Sequence, residues 1–187
     1  MIRTRVGYAG GSTNNPTYYN LGDHSETIQI DYDPTNVTYE ELLEVFWDSH
    51  YPTAQPWSRQ YMSIVFYDNE DQRRLAIESK EREESRLGHD IVTEIIPYSE
   101  FYLAEDYHQK YYLRQEGELV RELIAIYPDI SDLINSTAMA RLNGYVGGYG
   151  TPETLEKELN SLGLSDTGKK RLLEIAGRGL VPGCSVP

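Results

Sequence analysis

The chain has 187 residues, of which 39% are hydrophobic and 25% charged, a composition that is ordinary for a globular protein. Its formal net charge is −13, and the resulting negative field disfavours binding to nucleic acids and to anionic membranes. No apolar run approaches the ~20 residues that span a bilayer, and the first residues do not resemble a signal peptide. We therefore predict a cytoplasmic protein that binds neither nucleic acid nor membrane.

The chain contains one cysteine, Cys184, and four scattered histidines. A single cysteine excludes an internal disulfide and a cysteine-rich metal site. The histidines show no ligand spacing, so we predict no bound metal. The glycine-rich segment Gly7–Gly11 is not a phosphate-binding loop, because no Gly-Lys-Ser/Thr follows it and no helix opens there.

Alternation of apolar and polar residues predicts two strands at the start of the chain, Ile2–Tyr8 and Thr27–Asp31. Between them lie a glycine-rich turn and a polar loop that carries Tyr18. Glu26 stands immediately before the second predicted strand. Constrained polar loops often carry binding residues, so Tyr18 and Glu26 become candidates.

A capping box at Thr38–Glu41 predicts the start of a helix with an apolar face. Two prolines in Tyr51–Trp57 predict a loop, and the apolar run Tyr61–Tyr67 predicts a buried strand. The charged segment Asn69–Leu87 predicts an exposed helix that Gly88 ends. A further strand is predicted at Ile91–Ile96. Ser99 is predicted to cap a following helix that carries Tyr102, Tyr107, His108 and Tyr111.

The predicted order β-β-α-β-α-β-α favours one sheet with helices packed on it, an α+β fold of two layers. A split βαβ plait needs the order β-α-β-β-α-β. The chain supplies every part of that order except the first strand and the first helix, and it adds a helix between strands. We predict a two-layer α/β plait that lacks its opening strand and helix.

The sequence texture changes after Tyr127, which divides the chain into a main domain at 1–127 and a helical C-terminal extension at 128–187. In the extension Asp129–Leu142 is weakly helical, and Asn143–Gly150 predicts a loop rich in glycine and tyrosine. Two further helices are predicted to start at Thr151 and Ser165. We expect so short an extension to build little core of its own.

Tyr18, Glu26 and Tyr61 offer the clearest chemistry. A carboxylic acid beside two phenols can hydrogen-bond a polar oxygen and pass it a proton, provided that burial raises the pKa of the acid. Glu26 lies just before the second predicted strand and Tyr61 opens the third, so adjacent strand ends could bring them together. The plainer alternative, a surface carboxylate with two interface tyrosines, is the one that sequence alone favours.

Ordered motifs from Arg5 to Gln109 resemble those of the peptide-methionine (S)-S-oxide reductases, the MsrA family. In chain order they are Arg5-Val6-Gly7-Tyr8-Ala9-Gly10-Gly11-Ser12, Asn15-Pro16-Thr17-Tyr18, His24-Ser25-Glu26, Tyr32-Asp33-Pro34, Tyr39-Glu40-Glu41-Leu42-Leu43-Glu44-Val45-Phe46-Trp47, Arg59-Gln60-Tyr61 and Phe101-Tyr102-Leu103-Ala104-Glu105-Asp106-Tyr107-His108-Gln109. The resemblance implies a ferredoxin-like plait of the MsrA type. It also implies reduction of methionine S-sulfoxide, free or in proteins, as a repair of oxidative damage.

In the family that this chain resembles, a cysteine in a Gly-Cys-Phe-Trp-Gly segment attacks the sulfur. A resolving cysteine then closes a disulfide that thioredoxin or another dithiol reduces, and no cofactor is bound. By resemblance, Tyr18, Glu26 and Tyr61 hold and protonate the sulfoxide oxygen. Cys184, in a glycine-rich tail, resembles the resolving cysteine in placement.

The chain departs from the family pattern in three places. The Gly-Cys-Phe-Trp-Gly segment is absent, Tyr51–Arg59 is short and lacks the family's Gly-Asn-Asp, and the C-terminal extension is foreign to the common pattern. We expect that the start was truncated or misassigned and that the coding sequence upstream of Met1 supplies the cysteine. The alternatives are an inactive MsrA-like pseudoenzyme and a binding or dimerisation module. As it stands, the chain is expected not to reduce the sulfoxide, because a lone cysteine cannot both attack and resolve.

Overall fold

The computed structural model describes residues 1–177. Their contacts form two compact units, the first made of Met1 and residues 6–105 and the second of residues 2–5 and those from Asp106 onward. The fold is α+β with a helical C-terminal extension, as the sequence predicts. The domain boundary after Tyr127 stays a prediction.

The strands form two small sheets rather than the single sheet predicted. The five strands are β1 at Arg3–Ala9, β2 at Ser25–Asp31, β3 at Ile64–Tyr67, β4 at Glu94–Pro97 and β5 at Phe101–Leu103. One sheet has the order β2-β1-β5, and the other pairs β3 with β4 in parallel. The prediction of one sheet is wrong for the described residues because none of their strands joins β2 to β3, and an apolar cleft lies between these two strands.

Two predicted helices of the first unit are confirmed together with their end signals. In α1, Tyr39–Asp48, the Thr38 side chain accepts the Glu41 N–H at 3.1 Å, and the Glu41 carboxylate accepts the Thr38 N–H at 2.7 Å. This is the reciprocal capping box that the sequence predicts. In α2, Glu70–Leu87, Asn69 caps the first turn, and Gly88 ends the helix with φ 70°.

The helix predicted after Ser99 is wrong. Phe101–Leu103 forms β5, which pairs antiparallel with β1 so that Tyr102 lies opposite Tyr8. Two consecutive aromatic residues suit a pleated surface better than a helix, and the pairing adds ladder hydrogen bonds. The strand predicted at Tyr61–Tyr67 begins only at Ile64, because Arg59–Tyr61 forms a 3-10 turn instead. Likewise, the strand predicted at Ile91–Ile96 begins three residues later.

A core of buried residues holds α1 and α2 against the β3-β4 sheet. Its members are Leu43, Trp47, Val65, Ala76 and Ile91. The Trp47 indole N–H donates to Ser79 Oγ at 3.1 Å, so the one polar atom of this buried ring is satisfied. The core fixes the position of β3 and of the 3-10 turn that precedes it.

The second unit is helical. Its helices are α3 at Tyr111–Arg114, α4 at Gly117–Ile126, α5 at Ile130–Asn135, α6 at Thr137–Val146, α7 at Pro152–Glu158 and α8 at Asp166–Ala176. The caps predicted at Thr151 and Ser165 are confirmed, since the first accepts the Thr154 N–H and the second the Gly168 N–H, each at 3.2 Å. None of the described helices combines the length and the apolar character needed to cross a membrane.

One expectation for the extension is wrong. The loop predicted from Asn143 begins only after Val146, since α6 continues through Gly144, and Asn143 accepts the Leu113 N–H at 3.1 Å. The second unit has a substantial core, to which α3 and α4 add leucines that precede residue 128, so the expectation that the extension alone builds little core stays a prediction. The buried members of this core are Leu113, Leu119, Leu123, Leu133, Met139, Leu142, Tyr145, Val146, Leu155, Leu162, Leu164 and Leu172.

Lys110 is buried in the second unit, and its ammonium donates to the Thr4 carbonyl oxygen. Burial, with a smaller contribution from the charge of Arg5, lowers its pKa to about 8. An unfolded lysine titrates near ~10.4, so between these values the unfolded chain binds more protons, and stability rises with pH. We expect the chain to gain on the order of 2 kcal/mol between pH 8 and 10.4 relative to Lys110→Met. Urea unfolding of both proteins across this range measures it, and parallel pH profiles would contradict it.

Candidate active site

The loop between β1 and β2 is organised by one carboxylate. Asp23 accepts the Ser12 N–H at 2.8 Å and the Ser12 hydroxyl at 2.9 Å, and it also accepts both the N–H and the hydroxyl of Thr13. These hydrogen bonds, the Ser12 N–H foremost, hold the pKa of Asp23 far below its usual range. Asp23 therefore closes the glycine-rich turn onto the segment that leads into β2.

His24 holds the same turn from inside. Its buried ring accepts the Gly11 N–H at Nδ1 (3.2 Å), and Nε2 lies 2.8 Å from the Thr13 carbonyl oxygen. Because that oxygen only accepts, Nε2 carries the proton, and both nitrogens are engaged by the backbone. A Cβ at Gly11 would lie 2.6 Å from Asp23 Oδ1 and 2.7 Å from the His24 ring, so the turn needs glycine there. Among residues 1–177, no three metal-ligating side chains form a group that could hold an ion.

Glu105 positions Tyr18. One of its carboxylate oxygens accepts the hydroxyl of the buried Tyr8 at 2.7 Å, and the other accepts the Tyr18 N–H at 3.1 Å. The β1 residue Tyr8 is thereby connected to the polar loop that carries Tyr18, through a charge-assisted hydrogen bond at each carboxylate oxygen of Glu105. Glu105 was not predicted as a site residue, although it lies within one of the quoted motifs.

Ser25 and Arg59 bring the 3-10 turn that carries Tyr61 beside the start of β2. The buried Ser25 hydroxyl donates to the Arg59 carbonyl oxygen at 2.6 Å. The Arg59 guanidinium in turn donates to both oxygens of Glu94, at 2.8 and 2.7 Å. The adjacent Gln60 amide then reaches Glu26 Oε1 at 2.7 Å. Glu26 and Tyr61 are therefore neighbours through a turn held by side chains.

Tyr18, Glu26 and Tyr61 converge on one point. The pKa of Tyr61 is raised by partial desolvation first, then by the negative charge of Glu26 and by a hydrogen bond with Tyr18. The structure thus brings together the three residues that the sequence picks out, although Tyr61 lies on a 3-10 turn and not on a strand. Their chemical roles stay predictions, and Cys184 lies outside the described residues.

Two exposed aromatic rings extend this group, and of these Trp57 was not predicted as a site residue. Trp57 packs on Tyr61 with 4.7 Å between ring centroids, and Tyr19 packs edge-on against Tyr18 at 5.4 Å. Trp57 is 75% exposed and Tyr19 90% exposed. The available signal was the position of Trp57 in the proline-rich loop that leads into Arg59-Gln60-Tyr61.

Glu26 and Tyr61 also lie on the wall of a cleft of about 550 Å³. Its other walls are the exposed edge of β2, the edge of β3 and the apolar side of α1 with Leu42 and Phe46. Tyr39 lines it as well, and its buried hydroxyl has no hydrogen-bond partner among the described residues. Glu26 and Tyr61 of the site therefore line an apolar cleft that is bounded by two strand edges.

We predict that Asp23→Asn loosens the glycine-rich turn, because an amide is a weaker acceptor than a carboxylate for these donors. The folded-state pKa of Asp23 is lowered, so its stabilising effect is present above its unfolded value near ~3.9 and is lost as pH falls below it. Amide exchange of Ser12 and Thr13 should accelerate at neutral pH in the variant. In the parent chain the same acceleration should appear only in acid. Equal protection in both proteins would contradict this role.

A sequence model of the family described as peptide methionine sulfoxide reductase matches residues 1–138. The chain belongs to the peptide methionine sulfoxide reductase family. It is 43% identical over 169 residues to a peptide methionine sulfoxide reductase of Drosophila melanogaster, an alignment that covers 89% of this chain and 68% of that protein. The resemblance found in the motifs is thereby confirmed.

Solved structures of this family match just over half of the chain. Methionine sulfoxide reductase A of Corynebacterium diphtheriae is 35% identical with a TM-score of 0.54, over 59% of this chain and 62% of that one. Reduced Mxr1 from Saccharomyces cerevisiae is 29% identical with a TM-score of 0.57, over 59% of this chain and 70% of that one. The α+β fold of the family is therefore present.

A second model, for the helical domain of selenoprotein methionine sulfoxide reductase A, matches residues 130–175. The helical extension, foreign to the common family pattern, therefore has a counterpart among relatives. The chain spans between 65% and 68% of the length of the first three curated relatives that it matches. The activities of those longer proteins are therefore only proposed for this chain.

Proposed function

We propose that this chain is the greater part of a methionine sulfoxide reductase that holds the sulfoxide oxygen between Tyr18, Tyr61 and Glu26. The observation that carries the proposal is the convergence of two phenols and a carboxyl group on one point of the family fold. The names of the related proteins support the same activity. The substrate is methionine S-sulfoxide, free or in a polypeptide.

The three side chains fit the needs of sulfoxide reduction. The oxygen must leave as water, while two thiols supply two electrons and become a disulfide. The Tyr18 and Tyr61 hydroxyls can donate hydrogen bonds to the oxygen. Glu26 is exposed here, so it can give the oxygen a proton as the S–O bond weakens once the bound substrate covers its carboxyl group. Gln60, bound to Glu26 Oε1, leaves the second carboxyl oxygen free to face the substrate.

We further propose that the attacking cysteine comes from the family's opening strand and helix, packed in the cleft between β2 and β3. Two strand edges line the cleft, and their unpaired backbone groups can pair with a further strand. The buried Tyr39 hydroxyl, which has no hydrogen-bond partner among the described residues, can donate to an acceptor on that segment. Cys184 would act as the resolving cysteine, and a thioredoxin-like dithiol in the cytoplasm would reduce the disulfide. No bound cofactor is required by this chemistry.

Ligand binding tests the proposal without turnover. We expect N-acetyl-methionine S-sulfoxide to shift the amide resonances of residues near Tyr18, Glu26 and Tyr61, and to bind more tightly than its R epimer and N-acetylmethionine. The double variant Tyr18→Phe/Tyr61→Phe should lose this preference, since both oxygen donors are removed. Tyr51→Phe, an exposed tyrosine outside the group, is the matched control. Equal affinity for the sulfoxide and for methionine would refute the proposal.

A further inference from the structure

Four aromatic rings lie at the candidate site as two packed pairs whose central tyrosines interact. In order they are Tyr19, Tyr18, Tyr61 and Trp57, joined by an edge-on contact, a hydrogen bond between the two central tyrosines and a tilted stack. The central rings lie beside Glu26, while the two ends are open to solvent. We call these four residues the aromatic row.

Exposed ends of this size are more than a methionine side chain can cover. We expect a free amino acid whose oxygen lies at Glu26 to leave much of the exposed surface of Tyr19 and Trp57 in water. A polypeptide that presents the same oxygen continues in both directions from the methionine. Its flanking residues are therefore the groups that can reach the two ends of the row.

The charge of the unit that carries the row selects among flanking residues. Residues 6–105 hold 19 of the 30 acidic residues of the chain and only 6 of its 17 basic ones, so this unit carries the whole net charge of −13. Acidic groups also lie close to the row: Glu26 beside Tyr61, and Asp23 and Glu105 in contact with the loop that carries the tyrosines. Arg59, next to this group, has its charge satisfied by Glu94.

Resting on the proposed function, we propose that the aromatic row receives the residues that flank methionine sulfoxide in a polypeptide and prefers lysine and arginine there. The faces of indole and phenol rings attract cations, and tryptophan does so most strongly. The negative field of the unit raises the local concentration of basic peptides and repels acidic ones. The attraction of cations to the ring faces and the negative field of the unit thus both favour peptides with lysine or arginine beside the methionine sulfoxide.

Three peptides of equal length test the inference, each with a central methionine S-sulfoxide and with arginine, alanine or glutamate on both sides. We expect calorimetric titration of the chain to give a dissociation constant about tenfold lower for the arginine peptide than for the alanine peptide. The glutamate peptide should bind most weakly. In 0.5 M NaCl the field is screened, so the advantage of arginine should fall to about threefold, the part that ring contacts supply.

Variants separate the row from the general field. Trp57→Ala should weaken binding of the arginine peptide about fivefold, while Trp57→Phe, which keeps an aromatic face, should retain most of it. Tyr51→Ala removes another exposed ring, 86% exposed but outside the row, and should change nothing. Equal affinities for the arginine and glutamate peptides, or a Trp57→Ala protein that binds as the parent does, would overturn the inference.

The same peptides with methionine in place of its sulfoxide keep the two proposals apart. If the arginine peptides bind equally with and without the sulfoxide oxygen, the proposed function fails and the preference of the row is unaffected. If all sulfoxide peptides bind better than their methionine forms but without regard to flanking charge, the proposed function stands and the inference about the row fails.

Discussion

Glu26→Gln is expected to lower kcat for methionine S-sulfoxide by about 10²-fold or more in a form of this protein that carries the family's Gly-Cys-Phe-Trp-Gly segment ahead of Met1. Glutamine keeps the size of the side chain and its hydrogen bond with Gln60, but it has no proton to give to the leaving oxygen. The loss should therefore appear mainly in kcat, because KM reports contacts that the substrate makes before the S–O bond weakens. Initial rates with dithiothreitol as reductant measure both constants.

Glu78→Gln is the matched control for this experiment. Glu78 is a partly exposed α2 carboxylate paired with Arg74 at 3.0 Å, so its loss changes the net charge by the same amount. The control should keep kcat within twofold of the parent, since exposed pairs of this kind contribute little. An unchanged kcat in Glu26→Gln would remove Glu26 from the mechanism. A raised KM with kcat intact would make it a binding residue only.

Helix ends were predictable because their signals are local. The Thr38 box and the Gly88 stop each involve groups within four residues of one another, and each forms as the sequence indicates. The same holds for Thr151 and Ser165 in the second unit. A capping group meets the same few backbone atoms whatever the rest of the chain does.

Predictions of helices and strands failed where a contact with a distant part of the chain decides the structure. Ser99 reads as a helix cap, yet Phe101–Leu103 pairs with β1, more than ninety positions earlier in the chain. Tyr61 reads as the start of a strand, yet its turn is held to β2 by Ser25 and has no ladder partner. Neither contact leaves a trace in the local pattern, and packing overrides local propensity in such cases.

The candidate site divides in the same way. Tyr18, Glu26 and Tyr61 could be named because ordered motifs surround them, and because a carboxyl group beside phenols suggests proton transfer. The groups that hold them could not be named, since the Glu105 contacts span 87 and 97 positions of sequence. Trp57 was missed for another reason: its loop departs from the common family pattern, so the motifs gave no residue to compare.

The helical unit offers the sharpest test of burial, because two adjacent leucines of α8 face different surroundings. Leu172 is 0% exposed within the core of this unit, whereas Leu173 is 39% exposed. Leu172→Ala is expected to destabilise the unit by about 2–5 kcal/mol, the usual cost of a buried cavity. Leu173→Ala should cost less than about 1 kcal/mol, since most of its side chain is already in water.

The pair is informative because both substitutions replace leucine by alanine in one helix, so the change in helix propensity is the same for each. Any difference in the free energy of unfolding therefore comes from burial. Urea unfolding followed by circular dichroism at 222 nm measures it, with amide exchange in α6 assigning the loss to this unit. If both variants lost the same amount, α8 would not present Leu172 to the leucine core. The leucine core of the second unit would then not depend on α8.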